Sequence, residues 1–500
     1  MENFDVGTNL LVIIPEIGLT ILAVAILFMD SLLPESRRRS IAYLTFFGMG
    51  LIAVFPLMLS PDGETYWGGM IRHDMLSQVF KVIVLLAGSI TALVASTTSD
   101  LGRKGEFYLI MTVSTLGACL LSSAADIIMI FVALETVSIP LYVLAAFNRQ
   151  DKRSIESGMK YFLFGSFASA VMLYGFSLLY GFSGQTGLQG IADALRAGAV
   201  AEPVSLVIAI VLVFVGFAFK ISAVPFHFWT PDVYEGAPTP VTAFISVASK
   251  AASFAVLLRF FVAVFPEELS VDGQQMQTFW INLVIAASIV SMTVGNVLAL
   301  VQTNIKRLLA YSSIAQAGYT LLGVAALQGI ASEGVDPAAQ GVAAVAYYML
   351  MYTFTNLLAF GVVAIFSDAT GSETIADLAG LSRRNRWMAL AMTIGLLSLA
   401  GIPPAAGFIG KFFLFNAAVS ANLEWLAIIG VLNAIVGLYY YLVVIKVIYV
   451  DRSADDDKPI LLTTPAGVML GITTIAVIIL GVIPQPFFNW ALESATSLFS

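Results

Sequence analysis

The sequence predicts an all-α polytopic membrane protein with about fourteen transmembrane helices. Of its 500 residues, 59% are hydrophobic and only 11% are charged. A soluble protein of this length would need more charged residues to keep its surface hydrated. Apolar runs of about 20 residues, the length of a helical membrane span, recur along almost the whole chain. Segments such as 206–219 lack the polar–apolar alternation of transmembrane β-strands. These observations together predict a helical bundle.

The predicted spans are numbered 1 to 14 in chain order. Span 1 has no basic segment before it and its apolar run is too long for a signal peptide, so we expect it to be retained. Span 12 is too long for one straight crossing, and Pro403 and Pro404 should break it, because proline removes a backbone donor and clashes with the preceding turn. Span 7 should be interrupted in a similar way near Pro225. The predicted spans are 10–29, 41–59, 74–98, 107–122, 125–146, 158–182, 204–228, 239–264, 277–300, 307–328, 341–367, 386–420, 423–450 and 461–485.

Basic residues are distributed unequally between the two sets of loops and their edges. One set, the Arg-rich side, holds 15 of the 24 lysines and arginines, whereas the Arg-poor side holds only Arg72 and Arg196. The positive-inside rule therefore places the Arg-rich side in the cytoplasm and both termini outside. The Arg-rich set is Arg37, Arg38, Arg39, Arg103, Lys104, Arg149, Lys152, Arg153, Lys306, Arg307, Arg383, Arg384, Arg386, Arg452 and Lys458.

The span pattern predicts two repeated units. Spans 4–8 form a unit at 107–264 and spans 9–13 form a second at 277–450, with spans 1–3 at 1–106 and span 14 at 461–500 outside them. Because five is an odd number, the second unit enters the membrane inverted relative to the first. Each unit has its broken helix in fourth place, a pattern typical of inverted-repeat transporters, in which broken helices mark the ion path.

Four charged residues lie too deep in the predicted spans to reach water. They are Glu135 in span 5, Lys220 in span 7, Lys250 in span 8 and Lys411 just after the break in span 12. Each costs about 2.5–3.5 kcal/mol at the middle of a helix, so they indicate a polar interior or an ion path. A static Glu–Lys pair is the alternative, but one glutamate cannot neutralise three lysines. We predict a proton relay, because desolvation disfavours a charged lysine and a nearby carboxylate restores it.

Three further residues are predicted to support this relay. His227 follows Lys220 by seven residues, nearly two helical turns, so we expect the two to share a face and His227 to pass protons toward the Arg-rich side. A hydrogen bond that caps a loop is an equal alternative for His227. The other two supporting residues are Lys160, which is predicted to begin span 6, and Lys306. The side chain of Lys160 could also extend to the headgroups.

Other basic residues within the spans have simpler interpretations. Arg259 and Lys446 lie within one or two turns of a predicted boundary, so we expect their side chains to extend to the headgroups. Lys81 lies about two turns deep, and the sequence does not decide its role.

The chain has no motif that supplies energy for transport. Its single cysteine, Cys119, cannot hold an iron–sulfur cluster or a structural zinc, and haem ligation by His73 and His227, the only histidines, stays open. There is no P-loop and no dinucleotide-binding GxGxxG motif. Since moving a proton against 100 mV costs about 2.3 kcal/mol, a partner must drive any pumping.

Three long segments carry a resemblance to a known family. They are FKISAVPFHFWTPDVYEGAPTPVTAFISVASKAASF (219–254), QTNIKRLLAYSSIAQAGY (302–319) and LLSLAGIPPAAGFIGKFFLF (396–415). They resemble the proton-translocating membrane subunits of respiratory complex I and their relatives in multisubunit cation/proton antiporters. With the span pattern, the resemblance covers nearly the whole chain.

Within this family the chain is most similar to the subunit N group, the counterparts of mitochondrial subunit 2. It ends soon after span 14, without the long amphipathic helix of the largest antiporter-like subunit, and it has lysine at position 411, where subunit M typically has glutamate. Fourteen spans are typical of the bacterial or plastid form. The resemblance implies that Glu135 and Lys220 are the family's glutamate–lysine pair, Lys250 its central lysine and Lys411 its terminal lysine.

The resemblance also implies the setting of the protein. It implies a membrane-arm subunit of an NADH–quinone oxidoreductase in the bacterial cytoplasmic membrane, next to other antiporter-like and small membrane subunits. FMN, iron–sulfur clusters and quinone would be bound by partner subunits, with no cofactor in this chain. The alternatives are a sodium/proton antiporter subunit, a subunit of the ferredoxin-driven photosynthetic relative of complex I, and a purely structural linker.

Overall fold

The architecture is a bundle of membrane-spanning α-helices, which confirms the predicted fold class. It is taken from a computed structural model that describes residues 6–200, 202–329 and 336–499. In these ranges thirteen helices are long and apolar enough to cross a membrane, and Arg386–Ala400 with Ala406–Ser420 together take the place of span 12. The thirteen are Ile14–Leu32, Glu35–Met58, Met75–Ser96, Gly105–Ser123, Ile127–Ala145, Lys152–Ser183, Pro203–Ile221, Thr239–Val264, Met276–Ala299, Ile305–Gln328, Pro337–Thr370, Glu424–Tyr449 and Thr464–Val482.

Short polar side chains begin many of these helices. In each case the residue before the first helical turn accepts hydrogen bonds from backbone N–H groups that have no partner within the helix. Such a cap stabilises a helix by about 1 kcal/mol. The capping residues are Asp74, Asp126, Asp151, Asn304, Asp336 and Asn385.

Both predicted helix breaks are present. Span 7 ends at Ile221, where Ser222 has a left-handed φ of 65°, and a short helix, Trp229–Gly236, follows. Span 12 is interrupted between Ala400 and Ala406, where Gly401 has a φ of 85°. Glycine adopts this conformation without a steric penalty. The break in span 12 exposes the Leu399 and Ala400 carbonyl groups inside the bundle, next to Lys411.

Span 8 contains a feature that the sequence analysis did not predict. Between Thr239–Phe244 and Lys250–Val264, the residues Ile245–Ser249 form a π-helix. Such π-helical turns are rare and often lie at functional sites. Lys250 is the first residue after it.

Contacts between loops agree with the predicted alternation of the spans. Isolated β-bridges join Ile71 to Ala124 and Asp126 to Gly187 on the Arg-poor side, and Asn304 to Thr374 on the Arg-rich side. Two short antiparallel hairpins, 65–72 and 270–275, also lie on the Arg-poor side. The inverted relation of the two units and the cytoplasmic placement of the Arg-rich side stay predictions, and residues 1–5 and 500 at the termini lie outside the described residues.

The centre of the bundle is formed by spans 3, 8, 10 and 11, which are almost entirely buried, whereas spans 1 and 13 are mostly exposed. The C-terminal residues Gln485–Phe499 form an additional helix, which the sequence analysis included with span 14. This helix packs against spans 3 and 11, with Ala491, Ala495 and Leu498 buried.

Candidate functional site

Lys220 lies in the last turn of span 7 and is buried. Its Nζ donates a hydrogen bond to Ser138 Oγ in span 5, at 2.5 Å. The rings of Tyr142 and Phe219 lie 5.7 and 5.5 Å from the same atom, within the range of cation–π attraction. A hydroxyl and two aromatic faces therefore hold the ammonium group.

Glu135 lies one helical turn before Ser138 on span 5, and its charge is close enough to act on Lys220 and Tyr142. No ion pair between Glu135 and Lys220 is found within the described part of the chain. Glu135 is half-buried, and its Oε1 is buried without a hydrogen-bond partner. The Ser138 hydroxyl thus accepts from Lys220 and donates to the Leu134 carbonyl of its own helix, while Glu135 acts on Lys220 through its charge.

Lys250 is buried at the centre of the bundle. Its Nζ donates to the Ser313 hydroxyl at 2.5 Å and to the Ser313 carbonyl at 3.1 Å, both in span 10. The Tyr352 hydroxyl of span 11 donates to the same Ser313 Oγ at 2.8 Å. Just before Lys250, the π-helical Ser246 Oγ accepts a hydrogen bond from Asn356. The π-helix thus connects span 8 to span 11 next to the lysine.

Lys411 reaches back across the break in span 12. Its Nζ donates to the carbonyl oxygens of Leu399 and Ala400, at 2.8 and 3.0 Å, which end the first half-helix. This end of a helix carries a partial negative charge, which favours a cation. The Tyr319 ring of span 10 lies 4.7 Å from the ammonium nitrogen.

Span 10 connects Lys250 to Lys411. Gln316 lies one turn after Ser313, and its Nε2 donates to the Leu399 carbonyl at 3.0 Å, the same oxygen that accepts from Lys411. Its Oε1 accepts from the Tyr348 hydroxyl. Two polar residues one turn apart on span 10 thus contact the two lysine sites: Ser313 accepts from Lys250, and Gln316 shares the Leu399 carbonyl with Lys411.

The expected placement of His227 is wrong. Because span 7 ends at Ile221, His227 lies in the loop beyond the break and shares no helical face with Lys220. It is buried, with its ring near the Pro225 carbonyl, and its Nδ1 has no hydrogen-bond partner, so the capping alternative stays a prediction.

Lys160 and Lys306 are both held by carboxylates on the Arg-rich side. The expectation that Lys160 begins span 6 is wrong, because Asp151 caps the helix and it starts at Lys152, two turns earlier. Lys160 Nζ lies 2.6 Å from Asp232 and 2.7 Å from Glu156. Lys306, which is buried, lies 2.7 Å from Glu373 and donates to the Ala237 carbonyl at 2.8 Å.

Arg259 does not extend to the headgroups, so that prediction is wrong. Its side chain is 1% exposed and forms a bidentate pair with Asp74, with nitrogen–oxygen distances of 2.5 and 2.8 Å. It also donates to the Ser122 carbonyl at 3.3 Å. Lys446, by contrast, is 63% exposed, as the sequence predicted.

Sequence reasoning missed the uncharged partners of the lysines and the partner of Lys81. Lys81 Nζ lies 2.7 Å from Glu16 Oε1 in span 1, and both side chains are buried. A glutamate inside the first apolar run was the available signal. Ser313 and Gln316 stand one turn apart in a segment otherwise rich in small residues, which could have indicated one polar helix face. Across the described ranges, no three His, Cys, Asp or Glu side chains are arranged to hold a metal ion.

Comparison with known proteins shows which family this chain is similar to. Residues 124–437 match a family model described as NADH:quinone oxidoreductase/Mrp antiporter, transmembrane. The chain is 41% identical to NADH-quinone oxidoreductase subunit N of Moorella thermoacetica, over 98% of this chain and 99% of that protein. It is 40% identical to NAD(P)H-quinone oxidoreductase subunit 2 of Nostoc punctiforme, over 97% and 90%.

A solved structure shares the architecture. A chain of respiratory complex I from Thermus thermophilus with bound Aureothin superposes with a TM-score of 0.76. The two chains are 30% identical, and the match covers 95% of this chain and 98% of the other.

Proposed function

This chain belongs to the NADH:quinone oxidoreductase/Mrp antiporter family of transmembrane proteins, and from that premise we propose that it translocates protons as a membrane-arm subunit of a complex I-type NADH–quinone oxidoreductase. The similarity to subunit N extends over nearly the full length of both chains, and it supports the quinone oxidoreductase function over that of an antiporter subunit. The Nostoc relative is nearly as similar. In this proposal the electron donor is therefore determined by the partner chains and not by this subunit.

The observation that carries the proton path is the environment of the three deep lysines. Lys220, Lys250 and Lys411 are buried, yet their hydrogen-bond partners are hydroxyls and carbonyls instead of carboxylates. A fixed carboxylate would hold the proton on a lysine, whereas a hydroxyl can both accept and donate one. Each lysine therefore takes up or gives up a proton when a more distant charge changes.

Each residue of this path has its own part in the proposal. Glu135 supplies the charge that favours the ammonium form of Lys220. Lys250 exchanges protons with the Ser313 hydroxyl. The two carbonyls at the break in span 12 stabilise the ammonium form of Lys411, and Gln316 donates to one of them.

Partner subunits provide the driving energy in this proposal. FMN, iron–sulfur clusters and quinone are bound elsewhere in the complex, and this chain has no redox centre of its own. The assembly lies in the bacterial cytoplasmic membrane, with the Arg-rich side in the cytoplasm and both termini outside. The repeated units 107–264 and 277–450 each contribute one broken helix to the path.

The test measures quinone reduction and proton pumping in vesicles that contain the assembled complex. Glu135→Gln, Lys220→Met and Lys250→Met should each strongly reduce the protons pumped per NADH oxidised, while a native gel still shows the full complex. Lys446→Met removes a lysine that is exposed at the end of span 13, so it should leave pumping unchanged. Full pumping by an assembled Glu135→Gln complex would refute the relay.

Two further results would favour the alternatives. Purification without flavin-bearing and iron–sulfur-bearing subunits would point to an antiporter complex. Normal proton transport after Lys220, Lys250 and Lys411 are all replaced by alanine would favour a structural linker.

A further inference from the structure

A second buried charge centre lies in the N-terminal spans, outside the two repeated units. Lys81 Nζ of span 3 lies 2.7 Å from Glu16 Oε1 of span 1, and the two side chains are only 5% and 6% exposed. Both carboxylate oxygens of Glu16 are buried, and neither accepts a hydrogen bond of regular geometry. A buried ion pair does little for stability compared with well-packed apolar side chains, and an unsatisfied oxygen weakens it further. Packing alone therefore does not account for this pair.

A small cavity lies between Lys81 of this pair and His73 on the Arg-poor side. Its volume is about 10 Å³, which is about the space of one water molecule. The polar side chains lining it are those of Lys81, His73, Ser77 and Gln78. Gln78 fixes the imidazole, because its Nε2 lies 3.2 Å from His73 Nε2 and donates to the Leu59 carbonyl at 2.8 Å. His73 Nδ1 is buried without a hydrogen-bond partner.

His73 stands at the edge of the membrane, just before span 3 begins. Burial lowers the pKa of its imidazole, whereas the nearby Asp62 carboxylate opposes that shift. Lys81, Asp74 and Glu16 are the other charged groups that act on it. Asp62 itself is exposed on the connection between spans 2 and 3. A row of ionisable groups thus leads inward from the surface, in the order Asp62, His73 and Lys81. Lys81 is the seventh residue of span 3, so it lies at a depth of about 10 Å.

We propose that Glu16, Lys81 and His73 form a proton-exchange site that opens to the Arg-poor side and is separate from the lysines of the repeats. The proton on Lys81 Nζ transfers to Glu16 Oε1, which turns an ammonium–carboxylate pair into an amine and a carboxylic acid with no change in net charge. His73 then takes up a proton from the Arg-poor surface, and the imidazolium that forms passes a proton across the cavity to the Lys81 amine. The site gains one proton in each such cycle and releases it by the reverse steps.

Several ionisable groups surround this site. The charges of both Glu16 and Lys81 act on the buried thiol of Cys119 in span 4. Asp74 lies next to His73 in the chain and is held by two hydrogen bonds from Arg259, and Arg72 Nε lies 3.5 Å from the same carboxylate. Within the described residues, the cation paired with Glu16 is Lys81.

Infrared difference spectroscopy of the assembled complex in membranes tests this proposal. A pH change on the Arg-poor side should alter a protonated-carboxyl band in the wild type, and Glu16→Gln should remove that band. His73→Asn should keep the band but slow its response by about 100-fold, the lower end of what a positioned proton-transfer group contributes. Lys446→Met is the matched control and should leave both band and rate unchanged.

The result that would overturn the proposal is equally direct. Identical spectra for the wild type and Glu16→Gln would make the pair static, and an unchanged response rate in His73→Asn would remove the route through the cavity. Should Glu16→Gln fail to assemble, the uncharged combination Glu16→Gln with Lys81→Met avoids an unpaired buried charge and should also lack the band. The measurement reads proton binding instead of pumping, so its outcome is independent of the proposed function.

Discussion

Replacing Arg259 by methionine should destabilise the protein strongly, because the change leaves Asp74 buried without its main partner. Both side chains are almost fully buried, at 1% and 0% exposure, and the pair is bidentate. Asp74 also caps the first turn of span 3 through Ser77 N–H, at 2.9 Å. The pair therefore ties span 8 to the beginning of span 3 on the Arg-poor side.

The expected cost follows from the geometry. Removing one partner of a buried ion pair costs about 3–5 kcal/mol. The lower end applies here, because Arg72 Nε remains 3.5 Å from Asp74 Oδ2 and partly compensates the charge. About 3 kcal/mol corresponds to a change of about 100-fold in the equilibrium constant for unfolding. The uncharged combination Arg259→Met with Asp74→Asn should cost clearly less, since it leaves no buried charge.

The pH dependence of this cost has a definite sign. Burial alone would raise the pKa of Asp74, but the charge and hydrogen bonds of Arg259 hold it below its ordinary value. In the wild type, the ionised Asp74 stabilises the fold fully at pH values above the pKa of aspartate in the unfolded chain. This stabilisation is lost as the pH falls through the lower pKa that Asp74 has in the folded protein. Without Arg259, burial dominates, so protonation of Asp74 should relieve part of the cost as the pH is lowered from neutral.

The assay is the thermal stability of the solubilised complex, followed by size-exclusion chromatography of the fluorescently tagged subunit after heating at several pH values. Arg259→Met should lose the assembled peak at a clearly lower temperature, with the smallest difference at acidic pH. Lys446→Met controls for the loss of a cation as such. A single variant that is as stable as the double variant at neutral pH would refute the reasoning.

Three further predictions concern the polar partners of lysines. Ser138→Ala and Ser313→Ala each remove a hydrogen bond to a buried ammonium group, worth about 1.5–3 kcal/mol, and should lower the pumping rate in vesicles by about tenfold or more. Thr136→Val removes a hydroxyl that bonds only to its own helix, so pumping should stay unchanged and a loss would argue against a specific role for Ser138. Glu373→Gln should lower the free energy of unfolding by about 1.5 kcal/mol, because it removes the charged partner of the buried Lys306. This is the lower end of the range for a charged hydrogen bond, since Glu373 itself is 25% exposed. An unchanged melting temperature would contradict this prediction.

The helices and their breaks were predictable because both depend on local chemistry. Apolar runs set the spans, and Pro225, Pro403 and Pro404 cannot continue a regular helix. Helix ends were less predictable, because a cap such as Asp151 can start a helix beyond the apolar run and place Lys160 two turns inside it. The π-helix before Lys250 has no local signal, since it depends on contacts with other spans.

The sequence identified which charged residues lie deep in the membrane, but it did not identify their partners. The positions of Glu135, Lys220, Lys250 and Lys411 within apolar spans are enough to show that burying them costs energy. Which group each one contacts depends on how spans far apart in the chain pack together. Arg259 shows the difference, because its distance from the helix end suggested a side chain that reaches water, whereas Asp74, 185 residues away, holds it inside.

The partners of the lysines separate two kinds of site in this molecule. Lys81, Lys160 and Lys306 each lie 2.6–2.7 Å from a carboxylate. The three relay lysines instead donate to hydroxyl and carbonyl oxygens, which cannot neutralise an ammonium group. In the proposed relay, the charge of each of these lysines is therefore set by groups beyond its hydrogen-bond partners, such as Glu135, the next lysine or a partner subunit. This dependence on distant charge is what the proposal requires for events in a partner subunit to control when a proton is held or released.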